Sequence, residues 1–163
     1  MEQLAGHWTD FFIAEVGATA ALTGLIIVAI SINLQQILST GQLPGRAFEA
    51  LTLLAGALLI CSLALIPDQG VRLLGDEILA LQFVVLLNSI ISQIRSLRFK
   101  PQKVWWFITR AFAVLITCVP IIIGGVLLAS GNANGLYWIA PGVLVAIVVS
   151  VINTWVLLIE ILR

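Results

Sequence analysis

Four ionisable side chains, Glu15, Glu49, Arg110 and Glu160, stand inside long apolar stretches of this chain. A charge at the centre of a membrane helix costs about 2.5–3.5 kcal/mol on insertion scales and less near the ends, so each must be paired, neutralised or used. At a rise of 1.5 Å per residue, Arg110 lies about 9 Å in from one predicted membrane surface and Glu15 about 6 Å in from the other. Glu49 and Glu160 fall within about a turn of the Arg110 surface. Arg110 is expected to snorkel outward or to pair with Glu49 or Glu160, with contact to a ligand or anion as the alternative. The leading partner for Glu15 is Arg72, for which Asp76 and Glu77 compete. Repeated around an oligomer axis, an unpaired Glu15 would instead make an acidic ring that attracts cations. Thr19 and Thr23 continue its stripe at i+4 and i+8. Asn88, near the midplane, and Asn153, at a depth close to that of Arg110, are expected to hydrogen-bond between helices.

Other chemistries find no residue set in the sequence. Cys61 and Cys118 are isolated in apolar surroundings, and His7 is the single histidine. Without a CxxC spacing or a Cys/His cluster, no metal site is expected. HExxH, GxSxG and glycine-rich phosphate-loop patterns do not occur, nor do the paired Asp or Ser/His couple that intramembrane proteolysis would need. No enzyme activity and no cofactor are expected.

These residues must be held by membrane helices. The chain has 163 residues, 61% of them hydrophobic and 10% charged, with a mean hydropathy of +1.13. A soluble domain carries about 25% charged residues. Lys+Arg and Asp+Glu balance to a net charge of zero, so no basic excess exists to hold nucleic acid. Windows of roughly 20 apolar residues mark five spans: Phe11–Leu34, Ala47–Ile66, Ile78–Ile94, Val104–Leu128 and Leu136–Ile161. The third is the shortest and most polar. Pro44, Pro67 and Pro101 punctuate the connections, and Ser130–Gly135 reads as a tight turn. The first span is too long, and lacks the basic flank and cleavage site, to be a removable signal peptide, and it is expected to remain in the mature protein. The fold class is therefore all-α, a single polytopic five-helix membrane bundle.

Basic residues favour the cytoplasmic side. Arg46, Arg95, Arg98, Lys100, Lys103 and Arg163 fall on one side of a five-span chain and Arg72 alone on the other, which predicts N-out, C-in. Trp8, Trp105, Trp106, Tyr137 and Trp138 fall at predicted boundaries, as interfacial anchors.

Plotted at 100° per residue, the spans separate aliphatic from small or polar faces. Gly17, Ala20, Ala21, Gly24 and Ser31 share one face of the first span, pointing away from its Glu15 stripe. Glu49, Thr52 and Gly56 align in the second. Gln82, Ser89, Ser92 and Gln93 align in the third, with Asn88 at the margin. The fourth groups Trp106, Arg110, Ala113, Thr117 and Gly124, and the fifth Gly142, Ala146, Ser150, Asn153 and Glu160. Small residues let membrane helices approach closely, so Gly17, Ala21, Gly24, Gly56 and Gly142 are packing candidates. Pro120 and Pro141 interrupt the last two spans, as packing kinks or as openings of the kind transporters use. Two faces on the first span make a homo-oligomer the expected state.

The stretches Gly17-Ala18-Thr19-Ala20-Ala21-Leu22-Thr23-Gly24-Leu25, Ser31-Ile32-Asn33-Leu34 and Leu43-Pro44-Gly45-Arg46-Ala47, with the closing Asn153–Arg163 segment, resemble a family of small bacterial multipass proteins. Its members often carry the label "modulator of FtsH protease". The resemblance implies a bacterial cytoplasmic membrane and a regulatory role beside a membrane protease. Two functional expectations stand. One is a homo-oligomeric channel- or transporter-like assembly, its path lined by Glu15, Thr19 and Thr23 or by the Asn88/Asn153 region. The other is an accessory subunit docking a larger membrane protein. The lack of a soluble surface for partner contacts leans toward the first.

Overall fold

A computed structural model describes the backbone of residues 2–39, 43–99 and 104–162, and within these the side chains of residues 8–39, 43–94, 108–156, 158 and 159. The elements are α1 (Glu2–Ile32), α2 (Leu34–Ser39), α3 (Leu43–Leu63), α4 (Val71–Phe99), α5 (Val104–Ala129), a 3₁₀ turn (Ala133–Gly135) and α6 (Leu136–Leu162). Among the described residues there is no strand. Five helices are long and apolar enough to cross a bilayer, with candidate spans of 21 to 25 residues. That is roughly 31–38 Å of helix, enough for a hydrocarbon core of about 30 Å. The chain is an integral membrane protein of the multipass class.

The helices overlap all five predicted spans and differ from them at the ends, α3 running Leu43–Leu63 rather than Ala47–Ile66 and α1 starting at Glu2. The predicted third span begins at Ile78, after Arg72, Asp76 and Glu77, yet the helix begins at Val71 and reaches Phe99. Its first turns are held by contact, since Gly75 lies against the backbone of Leu128 and Ala129. The first span breaks at Asn33, whose side-chain Nδ2 donates to the Ala29 carbonyl at 2.9 Å. Such a local side-chain bond gives the backbone an alternative to continuing the helix. The predicted turn at 130–135 forms with Gly131 at φ +90° and Asn132 accepting from the Asn134 amide at 3.0 Å.

Helices α3, α4, α5 and α6 pack in a closed ring, each against the next, and α1 docks outside the ring on α3. Of the α3 span 56% is buried, and of the α1 span only 11%. The main apolar core, including Phe12, Ile60, Ile78, Ile121, Leu128, Ile139 and Val143, fills the end of the bundle nearest the 130–135 turn. At that end Trp8 meets Tyr137 at 4.9 Å between ring centroids, edge to face, and stacks on Phe12. Side chains of Trp105 and Trp106 lie outside the described residues, as do those of the basic 95–103 segment.

Glycines set the spacing of the α5–α6 contact. A Cβ on Gly124 would come within 2.7 Å of the Gly135 carbonyl oxygen and 2.6 Å of Ile139 Cγ1. Backbone cannot yield as a flexible side chain can, so no larger residue fits. The residues that follow the two prolines touch, Ile121 against Gly142, while Pro141 itself is exposed.

Candidate functional site

At the opposite end, two helices bring charge into the interior and a third brings an amide. Glu49 of α3 is 2% exposed and Arg110 of α5 8%. The Arg110 guanidinium donates from Nε to Glu49 Oε2 at 3.1 Å and from Nη2 to the same oxygen. From α4, Gln93 Nε2 donates to the other carboxylate oxygen at 3.4 Å. Both oxygens of the acid are thus served. Burying two charges carries a desolvation cost of several kcal/mol per ion, offset only when the geometry is good and the remaining polar positions are satisfied. One turn before Glu49, Arg46 is also buried. Ser92 beside Gln93 donates to the Gly45 carbonyl at 3.1 Å, tying α4 to the start of α3.

Polar groups continue up the same face of α4. Ser89 and Gln82 are both buried, and Ser89 Oγ and Gln82 Nε2 have no hydrogen-bond partner among the described residues. The Gln82 amide faces the thiol of Cys118, a weak acceptor. An unsatisfied amide in an apolar interior is costly. Ser150 and Thr117 avoid that cost by donating to their own helices, to Ala146 O at 2.7 Å and Ala113 O at 2.9 Å.

Of the alternatives for Arg110, the structure forms the pair with Glu49; the Glu160 side chain lies outside the described residues. Glu15 takes a different course from expectation. It makes no ion pair among the described residues, and it lies half-buried within electrostatic reach of Cys61 on α3. Arg72 sits at the start of α4 against Gly131, while α1 packs on α3, so lying on the same side of the membrane did not bring the two together.

Thr19 is fully buried inside the protomer and donates to the Glu15 carbonyl at 2.6 Å. Thr23 donates to the Thr19 carbonyl at 2.7 Å. Both hydroxyls are therefore spent on their own helix. Half-buried Asn88 and Asn153 make no side-chain hydrogen bond among the described residues. The rotation of α4 gives the interior to Gln82, Ser89 and Gln93 instead.

The small-residue candidates divide. A Cβ on Gly56 would meet Val85 Cγ2 at 2.9 Å, and Gly142 is pressed on Ile121. Gly17, Ala21 and Gly24 point out of the protomer, with nothing within 4 Å of a Cβ at either glycine. Sequence reasoning placed Gln93 and Ser92 on a polar face without assigning them to the pair, and read Arg46 only as a topology signal. The spacing of Arg46 and Glu49, one turn apart, was the available clue. No family model, no curated protein and no solved structure matches this chain.

Proposed function

We propose that the working unit is a homo-oligomer joined through α1, a channel- or transporter-like assembly whose polar file on α3, α4 and α5 receives the permeant. The observation that carries this reading is the bare stripe of α1, where Gly17 and Gly24 meet nothing within 4 Å. Small residues in a membrane helix favour close approach of another helix, with van der Waals contact as the driving term. A second copy inserted the same way up offers the same stripe, so a parallel two-fold contact is self-complementary.

Thr19 is buried within the protomer, so this reading does not route the permeant along the Glu15–Thr19–Thr23 stripe. The Glu49–Arg110–Gln93 group with Ser89 and Gln82 above it takes that place, because ionisable groups at membrane depth mark substrate and ion routes. Its test is cysteine crosslinking in native membranes. Ala21→Cys is expected to give disulfide-linked dimers on mild oxidation, and Val148→Cys, exposed on α6, is expected to give none. Equal crosslinking at both positions would remove α1 as the interface. Crosslinking of Ala21→Cys to a different, larger protein would favour the accessory reading, in keeping with the resemblance to proteins labelled modulators of a membrane protease.

A further inference from the structure

Among the described residues five hydroxyl side chains are buried, those of Thr19, Ser89, Ser92, Thr117 and Ser150. Thr19, Thr117 and Ser150 donate to carbonyls of their own helices, and Ser92 donates to Gly45 of α3. Ser89, 1% exposed, is the one whose hydroxyl has no partner. Its direction follows from its neighbours on α4. Gln82 faces Cys118 of α5, and Val85 faces Gly56 of α3. At 100° per residue Ser89 falls between these two directions, about 20° from the first and 40° from the second. It is therefore aimed into the interior of the ring. Gln93 follows one turn on, and side chains lean toward the N-terminus of their helix, which draws the Gln93 amide toward Ser89. That amide gives Nε2 to Glu49, and its Oε1 accepts no bond among the described residues. Across the ring stands Ser150 of α6. The contacts Gly75–Ala129 and Leu79–Gly125 set the level of α4 against α5, and Ile121–Gly142 and Gly124–Ile139 set α5 against α6. By that register Ser150 lies about 3 Å along the axis from the level of Ser89.

We propose that one water molecule is bound inside the ring, accepting from Ser89 Oγ and donating to Gln93 Oε1 and Ser150 Oγ. No hydrogen bond joins these three groups directly. Three bonds is the usual number for a buried water. Ser150 has given its hydrogen to the Ala146 carbonyl and keeps lone pairs to accept. The ligand is neutral because its partners are two hydroxyls and an amide. Glu49 is already spent on Arg110, so a bare ion would lose its hydration for no counter-charge from that pair. Through Gln93 the water stands one link from the Glu49 carboxylate, and it supplies the buried pair with an outer hydrogen bond. The site lies within one protomer. It goes beyond the oligomer reading and does not depend on α1, so a monomer holds the water as well.

The test is water-edited solid-state NMR of isotope-labelled protein in liposomes, which reads transfer of magnetisation from water to individual side chains. Thr19, equally buried but with its hydroxyl bonded to its own helix, is the dry reference. In the wild type, transfer to Ser89 Cβ and to the Gln93 side-chain amide is expected to exceed that to Thr19. Ser89→Ala, which removes the donor and little volume, is expected to lower the Gln93 signal to the Thr19 level. Gln82→Leu, about two turns along the same face, is expected to leave the Gln93 signal at its wild-type strength. Wild-type transfer no greater than at Thr19 would overturn the proposal. So would a Gln93 signal unchanged by Ser89→Ala, which would trace to water at the membrane surface, or an equal loss in Gln82→Leu.

Discussion

Helices α1 and α3 are both long enough to cross the membrane, and α1 is the more apolar of the two, yet they have opposite places in the fold. Helix α3 touches α1, α4 and α6 and carries the buried carboxylate; α1 leans on α3 from outside the ring. Apolarity measures suitability for lipid and says nothing of centrality, because lipid tails are as apolar as leucine. Glycine surroundings make the distinction. Gly56 of α3 is closed by Val85, and Gly17 and Gly24 of α1 face open space. One helix is committed to holding the protomer together, and the other is free to hold something else.

The contrast is broken most severely at Glu49. Glu49→Ala removes the carboxylate that receives the buried Arg110 guanidinium, a loss of about 3–5 kcal/mol, measurable as a lower midpoint in SDS-titration unfolding. Replacing both members by apolar residues of similar volume, Glu49→Leu with Arg110→Met, is expected to recover most of that stability. It would not recover any transport the polar file supports. Next comes Gly56→Leu, which overpacks α3 against Val85 and is expected to cost about 1–3 kcal/mol by the same titration. Gly24→Leu sharpens the contrast from the other side. Its side chain enters open space, so protomer stability should stay within about 0.5 kcal/mol, as for an exposed site, while crosslinking through α1 is lost. The smallest effect is expected for Thr154→Val. That hydroxyl bonds only to its own helix, and both circular dichroism and the unfolding midpoint should be unchanged.

Much of this was legible in the sequence. The five spans follow from runs of apolar residues, and the conspicuous cost of charge within them left Arg110 to snorkel or to pair with Glu49 or Glu160. Sharing one side of the membrane misled for Glu15 and Arg72, because two residues on one side meet only if their helices are neighbours, and neighbour relations arise from packing. The start of α4 was hidden for a related reason. Gly75 contributes no hydropathy, and its value lies in the backbone of Ala129 that it admits. Asn88 and Ser89 are adjacent in sequence, and a helix rotation of 100° per residue decides which enters the core. Hydropathy does not fix that rotation; the fit of Gly56 to Val85 and of Gln93 to Glu49 does.

The mass of the protein in lipid nanodiscs, wild type beside Gly24→Leu, tests the role of α1 most directly. Self-association through the bare stripe predicts a homo-oligomer for the wild type and a folded monomer for the variant. A wild-type monomer, or a variant oligomer of unchanged mass, would contradict it.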